Sequence, residues 1–301
     1  MPEATPALHE KIQELIASGR PSISFEFFPP KDDAGEVVLW QAIRRLEPLN
    51  PTFVSVTYGA GGSSRDRTTR ITQRIAQDTT LTPMAHLTCV GASRAELRRV
   101  IAEYADAGVR NVLAIRGDPK DGPRAPWTPS PDGLDYAVDL VRLVRELGRF
   151  SIGVAAFPDV HPASADFEED ARVLAMKAAA GAQFALTQMF FTADDYFRLV
   201  ERAAAHGSTM PIIPGIMPVT NVKQINRIAE LSGVALPDAV VSRLHAVADD
   251  PAAVRAVGVD IATELSERLL AGGAPGLHFI TMNRSTATLD VFAGLGLTAR
   301  A

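Results

Sequence analysis

In the stretch SISFEFFPPK, residues 22–31, a single carboxylate, Glu26, stands among Phe25, Phe27 and Phe28. An acid inside an apolar strand is costly unless it is paired, protonated or placed at an open end. Pro29 and Pro30 close the strand just beyond, so Glu26 is expected near its C-terminal mouth, within reach of water or a ligand. Among aromatic neighbours its pKa is expected to rise, which would let it donate a proton near neutral pH.

Other polar residues sit in similar runs. Side chains alternate across a strand, so residues of one parity share a face. Ser22, Ser24 and Glu26 share one parity, as do Ser55 and Thr57 in FVSVTYG (53–59), and His86 and Thr88 in MAHLTCVG (84–91). The same rule groups Ala114, Arg116 and Asp118 in VLAIRGD (112–118), and Leu186 and Gln188 in FALTQMFF (184–191). If the apolar parity faces a helix layer, these residues converge on the other side. Taken singly each has a plainer reading: Thr57 as a backbone bridge, His86 as a satisfied core histidine, Asp118 as a turn cap.

Several familiar chemistries find no support. Gly59-Ala-Gly61-Gly-Ser-Ser64 nearly matches a dinucleotide fingerprint but ends in serine, with no strand-end acid at the right distance. Ser63 with Asp66 fits a helix capping box instead. Asp159 and His161 in DVH have no third ligand at a metal spacing, so no metal is expected. There is no G-x-S-x-G elbow, and Cys89 lies mid-strand.

The elements that must position these residues alternate along the chain. Strand-like runs cover 22–28, 53–59, 84–91, 112–118, 151–158, 184–191, 211–217 and 276–283. Helix-period stretches such as 36–49, 95–108, 134–148, 167–181, 194–207 and 221–233 lie between them, several ending on glycine. This pattern predicts a single (β/α)8 TIM barrel with an N-terminal helix stopped by Gly19 and Pro21, and an extra helix near 252–271 before strand eight. An open doubly wound sheet is the alternative. The Pro-rich stretch 117–133 is expected to be a long loop after strand four.

Composition narrows the class. Of 301 residues 47% are hydrophobic and 22% charged, an ordinary globular balance. A net charge of −5 and a pI near 5.7 argue against nucleic acid as partner, and SRAELRRV (93–100) is expected to be a solvated helix face. One cysteine excludes an internal disulfide and suits a reducing compartment. No run approaches the ~18 apolar residues of a membrane span, so no membrane and a cytoplasmic location are expected.

FEFFPPK, FVSVTYGAGGSSRDRT, HLTCVG, LAIRGDP, VAAFPDVHP, ALTQMFF, PGIMPVTN and GLHFITMNR, in this order, resemble the methylenetetrahydrofolate reductase family across almost the whole chain. The resemblance implies a barrel that reduces 5,10-methylenetetrahydrofolate to 5-methyltetrahydrofolate, in one-carbon metabolism and methionine biosynthesis. NADH or NADPH is the implied reductant, with bound FAD as carrier in most members. It also implies one catalytic domain over 1–301, without the S-adenosylmethionine-binding domain of eukaryotic relatives, and a homo-oligomer as in bacterial members.

By the same resemblance Glu26 matches the general acid that protonates N10 of the folate, and Asp118 an acid beside flavin and pterin. Gln188 matches a residue bonded to the folate, and Arg284 a partner for its glutamate carboxylate. Thr57, His86, Arg116, Phe157, His161, Asp170 and Lys177 fall on FAD-contacting positions. The pattern is broken at Val173, Ala175 and Met176 in the helix after strand five, at Phe157, which lacks a tyrosine hydroxyl, and at Val222. One lost charge-assisted phosphate contact costs about 1.5–3 kcal/mol, so direct hydride transfer from NADH to folate stands beside the flavin route. Two readings from other classes are a non-catalytic folate- or flavin-binding barrel, which would not need Glu26, Asp118 and Gln188 together, and a pterin-dependent methyltransferase, which would not consume nicotinamide.

Overall fold

The computed structural model describes residues 11–58, 65–119, 121–122 and 124–297. Its strands are β1 (Ser22–Phe27), β2 (Phe53–Val56), β3 (Pro83–Thr88), β4 (Asn111–Ile115), β5 (Ser151–Ala156), β6 (Phe184–Met189), β7 (Ile212–Ile216) and β8 (Gly276–Ile280). Each pairs in parallel with its sequence neighbour, and β8 returns to β1, so the sheet closes into a (β/α)8 barrel. That last pairing excludes the open sheet.

Parallel neighbours cannot be joined by a tight turn, so helices make the crossovers. α1 (Ile12–Ala17) precedes the barrel, and α2 (Asp33–Leu46), α3 (Arg65–Asp78), α4 (Arg94–Asp106), α5 (Ala137–Leu147), α6 (Phe167–Ala180) and α7 (Ala193–Ala205) follow the first six strands in turn. α8 (Val222–Ser232), α9 (Asp238–His245) and α10 (Pro251–Ala271) lie between β7 and β8, and α11 (Ser285–Gly294) follows β8. The extra helix near 252–271 is α10. The eight-residue α9 escaped the sequence reading because so short a helix buries only Val240 and Leu244, too few positions to show a period.

Alternation divides the strands as expected. Ile23, Phe25, Phe27, Val54, Val56, Ala85, Leu87, Leu277 and Phe279 pack outward into the layer shared with the helices. A separate cluster of Phe53, Met84, Leu113, Phe184, Leu186 and Ile213 fills the interior, joined by Ile12 of α1. Ile12 N donates to Asn111 Oδ1 at 2.8 Å and Gln13 N to Ser151 Oγ at 3.2 Å, so α1 plugs the end of the barrel where the strands begin. At the other side of the interior, Gly258 of α10 lets the helix touch the loop after β7. A Cβ there would stand 1.8 Å from Val219 O.

Two sequence expectations need correction. The strands end one to three residues before the apolar runs do, so Thr57, Arg116, Asp118 and Phe157 stand on rim segments rather than in the ladder. In β4 the inward parity is Leu113 and Ile115, while Ala114 packs outward. Both parities of that strand are apolar, and alternation could not choose between them. The glycine loop and Ser63 lie outside the described residues; the capping box that is seen joins Ser93 and Glu96 at the start of α4.

Candidate active site

Because Phe25 and Phe27 point outward, Glu26 points into the barrel, and the groups nearest its carboxyl are histidines, not phenylalanines. In the ladder it stands opposite Ser55 of β2 and Ile280 of β8. Its Oε2 lies 3.3 Å from His278 Nε2 and 3.6 Å from His86 Nε2, and the side chain keeps 14% of its exposure. Burial alone would raise its pKa. The hydrogen bond from His278, with the charges of His86 and His278, outweighs burial and holds the carboxyl below the usual glutamate value. The expected upward shift is therefore reversed. Burial pushes His86 down to about 4, with His278 adding to the effect and Glu26 opposing it, so His86 is uncharged at neutral pH. What lowers Glu26 there is chiefly the His278 contact.

His278 was missed in the sequence, although it occupies the inward parity of β8. It is buried, stacks on Phe53 with ring centroids 5.5 Å apart, and meets Ser24 Oγ through Nδ1 at 2.8 Å. Ser24 is its ladder partner, so Ser24, His278 and Glu26 form one chain of contacts across β1 and β8.

The rim of β2 and β3 carries polar atoms that no described residue satisfies. Ser55 Oγ, Thr57 Oγ1, His86 Nε2 and Thr88 Oγ1 are buried without a hydrogen-bond partner among the described residues. Ser55 and Thr57 share the parity of the interior Phe53, and His86 and Thr88 that of Met84, so all four face inward. Each such atom costs about 1–3 kcal/mol unless water or a ligand completes it. Thr57 holds its strand end with its backbone, through Thr57 N to Phe27 O at 2.9 Å, and its hydroxyl is not the bridge.

The rims of β4 and β5 carry the charged groups. Gly117 takes φ +82° between Arg116 and Asp118; Arg116 stacks over Trp127 at 4.9 Å, and Asp118 is exposed. Phe157 meets His161 edge to face at 4.6 Å. Asp170 spends both oxygens on the loop between β5 and α6, accepting from His161 N at 2.8 Å and Ser164 Oγ at 2.6 Å. Burial lowers the pKa of His161, helped by Arg116 and Lys177 and opposed by Asp170 and Asp118, so these groups share one electrostatic neighbourhood. Lys177 turns inward, donates to Ala155 O at 3.0 Å, and is pulled down to about 8 by burial, against Asp170.

Gln188 is half-buried where the β6–β7 register is irregular, and its Oε1 accepts from Met189 N at 3.0 Å. Arg284 stands apart from this group: it is exposed at the start of α11 and lines a cleft with Met217, Asn221, Gln224, Ile280 and Met282. Val222 packs into the apolar cluster beside that cleft. On α6, Val173 and Met176 face solvent at 37% and 54% exposure.

Beyond β8 the chain turns back over β1 through two left-handed residues, Met282 (φ 51°) and Asn283 (φ 58°). Each such non-glycine residue costs on the order of 1–3 kcal/mol, less for Asn, and persists where neighbours hold it.

An inward carboxylate bonded to histidine at the C-terminal mouth of a barrel, beside polar atoms with no partner among the described residues and a charged rim, has the chemistry to exchange a proton with a polar ligand. The solved structure of a Clostridium thermocellum protein described as uncharacterized, which binds two copies of 5-methyl-5,6,7,8-tetrahydrofolic acid, shares the fold. Its TM-score is 0.63 at 14% identity, covering 96% of this chain and 98% of that one. The 5,10-methylenetetrahydrofolate reductase of Pectobacterium carotovorum is 40% identical over 97% of this chain and 95% of its own. That of Escherichia coli K12 is 38% identical with the same coverage. The family profile described as methylenetetrahydrofolate reductase matches residues 11–296, nearly every element that builds the barrel and its mouth, and the chain belongs to that family.

Proposed function

We propose that this protein reduces 5,10-methylenetetrahydrofolate to 5-methyltetrahydrofolate with a reduced nicotinamide cofactor, using Glu26 as the general acid. The observation that carries the reading is the inward Glu26 held between His278 and His86 at the mouth of a barrel of this family. Reduction requires the five-membered ring of the folate to open to an N5 iminium, and a proton delivered to N10 drives that opening. The ligand-free site holds Glu26 below the usual glutamate value, so it must gain its proton on or after substrate binding. A pterin covering the mouth removes the remaining water and acts in that direction. Asp118 lies on the rim where it would face the reacting rings, and Gln188 and the exposed Arg284 offer polar ends for the rest of the folate.

For the hydride carrier, the open atoms of Thr57 and His86 with Arg116, Phe157 and His161 suit a flat polar ring. The phosphate-bearing half of FAD does not fit α6. Val173 and Met176 present apolar surface, the first turn carries Glu168, Glu169 and Asp170, and Lys177 is turned inward. That mismatch favours a second reading, direct hydride transfer from nicotinamide to folate.

The test is the visible spectrum of the purified protein, with NADH oxidation measured with and without methylenetetrahydrofolate and with and without FAD. Oxidation that depends on the folate supports the reading, and its absence refutes it. A flavin band, or activity that requires FAD, refutes the direct route. Glu26→Gln should lose at least about a hundredfold in turnover while staying folded; near-normal turnover removes Glu26 from the role.

A further inference from the structure

The segment after β8 grips the end of β1 at two points, Glu26 and Phe28. The Glu26 carbonyl accepts two bonds from Thr281, from N at 3.1 Å and Oγ1 at 2.7 Å. Two residues on, Phe28 is bridged by one side chain: Asn283 Oδ1 accepts from Phe28 N at 2.8 Å, and Asn283 Nδ2 donates to Phe28 O at 2.9 Å. Asn283 N in turn donates to Thr281 Oγ1 at 3.2 Å.

The regular β1–β8 ladder ends at Glu26 opposite Ile280. Past that point an asparagine amide, which carries a donor and an acceptor as a peptide group does, stands in for the missing strand residue. It reaches there only because Met282 and Asn283 take the left-handed turn. Asparagine is the side chain that both tolerates this conformation and supplies both bonds. Glycine would tolerate it and supply neither.

We infer that Asn283 is a positioning residue: its two-bond bridge to Phe28 sets the level of β1 at the rim and so holds the Glu26 carboxylate against His278. The inference rests on the proposed role of Glu26 for its catalytic consequence, but its structural half stands without it. His278 and His86 are the titratable groups that face Glu26, from β8 and β3, and a shift of β1 alters its distance to both.

Asn283→Gly tests this, because glycine accepts φ 58° and removes only the bridge. Circular dichroism should show the barrel intact. In folate-dependent NADH oxidation kcat should fall at least about tenfold with KM for methylenetetrahydrofolate unchanged within about threefold, as expected for a misplaced catalytic group rather than lost binding. In the ligand-free protein a carbon-13 titration of the Glu26 carboxyl should move upward in the variant, because the His278 bond is weakened while burial remains. An unshifted titration in folded Asn283→Gly overturns the inference; where Glu26→Gln has lost its turnover, wild-type kcat or a raised KM at unchanged kcat in Asn283→Gly overturns it as well. If Glu26→Gln keeps its turnover while the Asn283→Gly titration still moves, the general-acid reading fails and the positioning role survives.

Discussion

Acidification should destabilise this barrel through His86, and the size of the effect follows from its burial. His86 retains 4% of its exposure, and burial lowers its pKa from 6.5 to about 4. Above pH 6.5 it is neutral in both folded and unfolded chains and contributes nothing to the pH dependence. As pH falls below 6.5 the unfolded chain takes up a proton that the folded one refuses, so stability drops until about pH 4. The gap, at about 1.4 kcal/mol per pH unit, amounts to about 3 kcal/mol, a large share of the 5–15 kcal/mol of a typical domain. His161, also lowered by burial, adds a loss of the same sign, and Glu26, held low, loses its contribution only at more acid pH. His86→Gln removes the titrating ring; it also takes from Glu26 one of the charges that hold it low, an effect felt only at more acid pH. Urea unfolding of both proteins, stepped from about pH 7 to about pH 4, should show the wild type losing about 3 kcal/mol more than the variant. Parallel curves would mean that His86 takes a proton freely in the folded state, which contradicts its burial between β3 and Glu26.

Lys177 costs stability where it sits: its pKa is lowered from 10.5 to about 8, so at neutral pH the folded chain holds a charge it disfavours. Lys177→Met should gain about 2 kcal/mol at pH 7 after the lost bond to Ala155 O is counted, and the gain should shrink as pH rises from about 8 towards about 10, because the neutral lysine then no longer opposes folding. A variant less stable than wild type in urea unfolding at pH 7 would refute this. The Cys89 thiol, 1% exposed, is pushed up to about 12 by burial and then by Asp139. A thiol-specific chromogenic reagent should leave it unmodified in the native protein and label it fully on unfolding; rapid native labelling would contradict the structure. Gly258→Ala should cost on the order of 3 kcal/mol, since the new methyl meets Val219 O at 1.8 Å. An unchanged melting temperature would show that α10 can move away from the loop after β7.

The barrel was legible because its evidence is local. Strand runs such as SISFEFF and MAHLTCVG, set between helices that end on Gly181 or Gly233, repeat along the chain and declare the period of the fold. Alternation within β1 was enough to turn Glu26 away from Phe25 and Phe27. It failed in β4, where both faces are apolar and the inward Leu113 looks no different from the outward Ala114. What no local pattern contained is who meets Glu26 across the barrel. His278 lies 252 residues away in sequence and reaches the carboxylate only because β8 closes on β1 in the register that sets Ser24 beside His278. Its neighbours in sequence are phenylalanines and predicted a raised pKa; its neighbours in space are histidines and lower it. The bridge from Asn283 to Phe28 depends on the same closure. Side-chain direction is a property of one strand, with a period of two residues, and the amino-acid order determines it. The charge a side chain carries depends on the strands beside and across from it, and only the closed barrel with its register decides that.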